Sequence, residues 1–175
     1  MKQVAREVRG KTKPEVELAT RVSARVEIVD VFVVETVARR GPARGALPEN
    51  LELNVNVDIA MDEEKLLIQV FPRFTLVARY DDEDSNEFLR IEARFALVYK
   101  VPSLTGLKKE NIEAFGQVNG LYNAWPYWRE YVHSMTARMG LPSLKMPVYR
   151  VPTAPLKTTQ RKARTKTARK KTATR

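Results

Sequence analysis

The stretch Tyr122 to Val151 reads YNAWPYWREYVHSMTARMGLPSLKMPVYRV, and it decides the fold because its helix signal leads into a proline-punctuated exit. Pro126 suits a first helical turn, since proline lacks the N–H that has no intrahelical partner there. Apolar side chains then recur at helical steps and form one stripe: Trp128, Val132, Met135 and Met139. Gly140 predicts a left-handed helix end, and Pro142 prevents the helix from resuming. An extended apolar segment follows.

This stretch resembles the SecB family of protein-export chaperones, including the SecB-like chaperones that accompany toxin–antitoxin pairs. The family pattern is a proline-tyrosine-x-arginine-glutamate helix start, a later arginine, a Pro-x-Leu segment and a Pro-Val-aromatic triplet. The matching residues here are Pro126, Tyr127, Arg129, Glu130, Arg138, Pro142, Leu144, Pro147, Val148 and Tyr149. The resemblance covers roughly residues 20 to 151, with sharp identities only in the last thirty. The alternative is a generic amphipathic helix with a proline-rich exit.

Four segments before this helix have the composition of β-strands. They are Val22 to Ala38, Leu51 to Met61, Lys65 to Tyr80 and Phe88 to Val101. The middle of the first segment is apolar at consecutive positions, so it is either covered on both faces or an edge buried by another subunit. The second alternates regularly, which predicts one buried and one wet face. Pro72 in the third indicates an edge strand or a bulge.

The order of the elements predicts the fold class. After the strands, Lys108 to Tyr122 places apolar residues at helical spacing, and the helix that follows Pro126 comes next. Strands first and helices afterwards are typical of α+β proteins. We therefore expect a four-stranded antiparallel sheet with helices packed on one face, which is also the architecture that the SecB resemblance implies.

The net charge of +10 lies mostly in the last twenty residues, where nine cations follow Pro155 without an acid, so residues 1–156 carry only +1. We expect a polar N-terminal extension over 1–15, a SecB-like domain over 16–152 and a disordered basic tail over 153–175. The tail suggests polyanion binding through Arg161, Lys162, Arg164, Lys166, Arg169, Lys170 and Lys171. The alternative function is therefore a nucleic-acid- or ribosome-associated protein, with an anionic membrane surface as another accessory partner.

Enzymatic chemistry is not indicated by any motif. The chain has no cysteine, no glycine-rich phosphate loop and no histidine cluster with metal spacing, so we expect no enzyme, no metal and no cofactor. His133, the only histidine, reads as a surface or half-buried residue. The acidic run Asp81 to Asn86 reads as a solvated turn rather than a calcium site. No apolar run reaches membrane-spanning length, and we expect a cytoplasmic protein.

A chaperone for unfolded chains needs adaptable apolar side chains, because its clients share no sequence. The candidate client-binding residues are Trp125, Trp128, Leu141, Leu144, Met146, Val148 and Tyr149. For Trp128 and Met135, packing in the core is the favoured interpretation. For the segment from Leu141 to Tyr149, the resemblance implies an exposed groove.

The resemblance also implies a homotetramer built as a dimer of dimers, which holds preproteins unfolded without ATP and passes them to the SecA motor. Glu27, Glu35 and Glu92 are the candidate translocase-docking carboxylates, although nearby arginines dilute their field. The sequence departs from classical members after Arg150, where a basic tail replaces a further helix and a SecA-binding segment. The client is thus either general preproteins or one antitoxin.

Overall fold

A computed structural model describes residues 13–43, 48, 50–80 and 87–149. Its centre is a four-stranded sheet in the order β1-β4-β3-β2, with every neighbouring pair antiparallel. The strands are β1 (Glu27–Arg40), β2 (Leu51–Asp62), β3 (Leu67–Arg79) and β4 (Glu87–Lys100). Strands β1 and β2 are therefore the two edges. The predicted α+β fold, with helices on one sheet face, is confirmed.

The helices stand at both ends of the described chain. Helix α1 (Lys13–Ser23) precedes the sheet, whereas α2 (Lys109–Phe115), a π-helical turn (Gly116–Gly120) and α3 (Leu121–Arg138) follow it. Helix α1 lies against α2, where the buried amide of Asn111 donates from Nδ2 to the carbonyl of Leu18 at 3.4 Å. The same amide accepts the N–H of Lys108 at 3.0 Å and so caps α2.

The sequence places the start of the first strand too early. Val22 belongs to α1 and is fully buried, together with Ala19, and β1 begins only at Glu27. A valine that closes the apolar stripe of a short helix and a valine that opens a strand look alike in the sequence, because the two patterns overlap there.

The predictions for Pro126 and Pro72 need correction. Pro126 lies inside α3 rather than in its first turn, and the carbonyl that loses its partner is that of Tyr122, whose side chain is exposed. Pro72 lies in the central strand β3, and the register with β4 does not shift there. The β3–β4 ladder is instead interrupted between Val70 and Arg73, which accommodates the missing N–H.

The π turn joins α2 to α3 where the chain comes closest to the sheet. A Cβ atom on Gly116 would lie 2.3 Å from Cδ1 of Ile59, and one on Gly120 would lie 2.6 Å from Cγ1 of Val70. Only glycine allows so close an approach of helix backbone to strand side chains. The sequence analysis missed this turn, because a π turn has no clear compositional signal.

Aromatic side chains fill the space between α3 and the sheet. Trp128 is fully buried and stacks on Phe74, with ring centroids 5.2 Å apart. Trp125 meets the same phenylalanine edge-on at 5.8 Å, and Phe95 meets it at 6.1 Å. Val132 continues the buried stripe one turn farther along α3. This cluster forms the floor of the candidate site.

Candidate functional site

Residues 141–149, called the strap, run back along the flank of α3 in an extended conformation. The Oγ1 atom of Thr136 accepts the N–H of Leu144 at 3.1 Å. Toward the start of the helix, Nε of Arg129 donates to the carbonyl of Met146 at 3.1 Å. Nε1 of Trp125 donates to the carbonyl of Pro147 at 2.8 Å. Three side chains on one flank of α3 therefore bind the main chain of the strap.

The turn that leads from α3 into the strap is built as the sequence predicts. Gly140 has a φ of +68°, the left-handed conformation that glycine adopts at helix ends. Arg40 of β1 donates from Nη1 to the carbonyl of Met139. A cation at this position complements the free carbonyls and the negative end of the helix dipole. The strap is thereby aimed back along the helix.

The seven candidate client-binding residues belong to α3 and the strap, which enclose a cleft between them, but they differ in exposure. Trp125 is 6% exposed and Trp128 is completely buried. Four strap residues are half-buried against the core, namely Leu141, Leu144, Met146 and Tyr149. Val148 is 58% exposed. The exposed groove expected from the resemblance is therefore largely closed by the strap itself.

Oη of Tyr149 is buried in this cleft without a hydrogen-bond partner among the described residues, and so is Nε1 of Trp128 on the buried stripe of α3. The ring of Tyr149 lies 5.4 Å from that of Trp125, and burial raises the pKa of its hydroxyl. An unpaired buried donor costs about 1–3 kcal/mol. The closed cleft thus leaves the hydroxyl of Tyr149 unsatisfied, although the main chain of the strap is well bound.

A cavity lies beside the edge strand β2, and the sequence analysis missed it. It has a volume of about 540 Å³ and an apolar lining from Val57, Ile59, Met61 and Ile112. Lys109, Glu113, Gln117 and Asp58 complete its lining. The regular alternation of β2 correctly predicts which face points inward. That face stays half-buried because α2 is too short to cover it.

Edge strand β1 exposes large apolar side chains. Ile28, Val29, Phe32, Val33 and Val34 are 43 to 50% exposed. The register with β4 shifts between Ile28 and Asp30 and again between Val33 and Glu35. Such bulges interrupt a regular edge and limit unspecific strand pairing. The sequence left two interpretations for this strand, namely cover on both faces or an edge buried by another subunit. In the chain by itself, β1 is an edge strand and its apolar side chains are uncovered.

The candidate docking carboxylates lie on or near a charged sheet face. Arg73 pairs with Glu35 at 2.7 Å and also with Glu92, while Glu92 lies 3.6 Å from Arg90. The hydrogen bonds that Arg73 donates to Glu92 and Glu35 raise the pKa of its guanidinium group. Glu27 stands at the start of β1, opposite Lys100. Arginines therefore neutralise much of the charge of Glu35 and Glu92.

The remaining sequence predictions fall outside these surfaces. His133 is exposed on α3. The acidic run over 81–86 and the polyanion-binding residues of the tail lie outside the described residues, so those assignments and the domain division stay predictions. Among the residues that the structure describes, no helix is long and apolar enough to cross a membrane. Within the same ranges, no group of three or more histidine, aspartate or glutamate side chains is placed to hold a metal ion.

Comparison with known proteins is informative at the level of structure. No protein-family model matches the sequence, and no curated protein does. Among solved structures, the SecB-like chaperone of Mycobacterium tuberculosis, in complex with a peptide from the HigA1 antitoxin, matches with a TM-score of 0.67 and 22% identity. The match covers 78% of this chain and 99% of that one. The chain has the SecB-like fold. A protein of unknown function from Streptococcus agalactiae matches with a TM-score of only 0.36 and 12% identity, covering 70% of this chain and 96% of that one.

Proposed function

We propose that the protein is an ATP-independent holdase chaperone that binds unfolded or precursor polypeptides. The observation that carries this proposal is the SecB-like fold, which matches nearly the whole of a chaperone solved with an antitoxin peptide. A dedicated antitoxin is the first client that we propose for this chain. General preproteins on the way to export are the second.

The surface of the chain supports a role in binding apolar polypeptide. The half-covered cavity beside β2 has a volume of about 540 Å³, which suits one or two large apolar side chains of a client. The strap and α3 contribute tryptophans and methionines, which adapt to varied partners. We propose that clients contact Trp125, Trp128, Leu141, Leu144, Met146, Val148 and Tyr149. These binding surfaces accord with a non-enzymatic function.

We further propose that the protein assembles as a homotetramer, a dimer of dimers, through β1 and the exposed side of α3. Five exposed apolar side chains on one edge strand are a liability for a monomer unless another chain covers them. Tyr122 and Tyr127 on α3 are also about half exposed. Sedimentation at micromolar concentration tests the assembly, and a species near 20 kDa would rule it out.

Docking to a translocase would involve carboxylates on the charged sheet face. The carboxylates of Glu35 and Glu92 already pair with Arg73, so they have less charge to offer a basic surface of SecA than free carboxylates have. Glu27 completes the proposed docking set. The basic tail remains a proposed accessory site for nucleic acid, the ribosome or an anionic membrane surface.

Direct binding to a permanently unfolded polypeptide tests the chaperone proposal. A reduced and alkylated protein carrying a fluorescent label is titrated with the full chain, and its anisotropy is measured without nucleotide. We expect saturable binding that the same protein in its native form does not inhibit. Equal competition by the native and the unfolded form would contradict selective binding to unfolded chains.

A further inference from the structure

The strap is bound to α3 through its main chain. Trp125 and Arg129 donate to carbonyl oxygens of Pro147 and Met146, and Thr136 accepts an N–H. Carbonyl groups occur at every residue of a polypeptide, and N–H groups occur at every residue except proline. The flank of α3 therefore presents three hydrogen-bonding groups that would suit almost any extended chain.

The strap also fits its site imperfectly. Oη of Tyr149, a strap residue, is buried there without a hydrogen-bond partner among the described residues. Folded proteins leave few such groups, because each one loses its bonds to water. The apolar strap side chains are only half-buried, and Val148 is mostly exposed. An element held in this way can be replaced by a chain that fits better.

We propose that the strap is an intramolecular occupant of the client site, and that an extended client segment displaces it. The client's carbonyl groups would accept from Trp125 and Arg129, and its N–H would donate to Thr136. This inference rests on the proposed chaperone function and specifies the conformation of the bound client. Displacement uncovers Trp125 and the inward side of the strap, so residues covered in the closed state become client contacts.

Two other arrangements compete with displacement. A client can lie over the closed strap and contact the exposed Val148, or it can bind only in the cavity beside β2. Both leave the hydrogen bond between Thr136 and the N–H of Leu144 in place. The amide of Leu144 therefore distinguishes displacement from both alternatives.

Amide hydrogen exchange of the full-length protein provides the first test. The probe is the reduced and alkylated polypeptide, and its binding is followed separately by anisotropy. We expect exchange at Leu144 and the neighbouring strap amides to accelerate at least about tenfold when the client binds, because the strap opens. Unchanged or slower exchange in a complex shown to be saturated would overturn the proposal.

A reversible covalent lock provides the second test. The chain has no cysteine, so a bridge between Thr136→Cys and Leu144→Cys has no native competitor. The 3.1 Å from Oγ1 of Thr136 to N of Leu144 keeps the two Cα atoms within about 7 Å, the upper limit for a disulfide. The two single variants, treated with the same oxidant, control for oxidation elsewhere.

The lock should act on client binding alone. We expect the oxidised double variant to bind the unfolded probe at least about tenfold more weakly than its own reduced form. Equal affinity of the two forms, with the bridge confirmed by mass spectrometry, would overturn strap displacement. Failure of the wild-type chain to bind the probe would instead contradict the proposed function, so the two failures are distinguishable.

Discussion

Replacing Thr136 with valine should loosen the strap while leaving α3 intact. Thr136 is 2% exposed, and its hydroxyl donates to the carbonyl of Val132 at 2.9 Å and accepts the N–H of Leu144 at 3.1 Å. Valine has nearly the same shape and a similar helix propensity, so it removes the hydrogen bonds and little else. The Leu144 N–H would then lose its acceptor.

The expected loss follows from this geometry. A hydrogen bond contributes about 1 kcal/mol net, and an unsatisfied buried donor costs up to about 3 kcal/mol. Since the strap is only half-buried and water can reach the freed N–H, we expect a loss of about 1–2 kcal/mol. For a chain of this length, that lowers the melting temperature by about 2–8 °C. Calorimetry at matched protein concentration measures the change.

Thr20 offers a matched control on α1. Its hydroxyl donates to the carbonyl of Val16 at 2.8 Å, the same bond to the fourth preceding residue, but the side chain is exposed and accepts nothing from a strap. Thr20→Val should change the free energy of unfolding by less than about 0.5 kcal/mol. Equal effects of the two substitutions, with unchanged exchange at Leu144, would refute the role assigned to Thr136.

Three further predictions concern other parts of the molecule. Tyr149→Phe should leave stability unchanged or raise it slightly in thermal unfolding, because the lost hydroxyl has no partner in the described part of the chain. Tyr99→Phe should cost about 1 kcal/mol, because it removes the acceptor of Asn123. A larger loss for the first substitution than for the second would contradict this. Gly120→Ala should destabilise the protein by about 1–3 kcal/mol, and by more than Gly116→Ala, because the stiff side chain of Val70 yields less than the end of Ile59. Denaturant titration of the two variants decides the order. Truncation after Pro155 should abolish salt-sensitive binding to DNA and RNA, for which nine phosphate contacts would set a limiting slope of about −8 in log affinity against log salt. Unchanged polyanion binding in a filter assay would exclude the tail as the site.

The sheet could be predicted from the sequence because its side chains alternate with the period of a strand. The odd positions from Leu51 to Met61 point inward from β2, as predicted, although the last of them remains largely exposed. The turn after α3 at Gly140 was equally readable, since glycine is favoured where φ is positive. Such local signals depend on the backbone of a few neighbouring residues.

Other features depend on contacts between distant parts of the chain. The π turn exists because Gly116 and Gly120 meet Ile59 and Val70, respectively, which lie at least fifty residues earlier in the chain. No local pattern reveals such contacts. The strap was expected to line an exposed groove because the SecB resemblance implies one. Its closure follows from hydrogen bonds to Thr136, Arg129 and Trp125 that tertiary structure alone brings together. The cavity beside β2 likewise depends on the length of a helix packed against it.

Suppression of aggregation is the measurement that tests the central claim most directly. A slow-folding client is diluted from denaturant with an equimolar amount of the full-length protein and no nucleotide, and light scattering is followed. We expect scattering to fall strongly compared with an inert protein at the same concentration, because apolar client segments bind to the chaperone instead of to one another. Scattering that equals the control would contradict the holdase function.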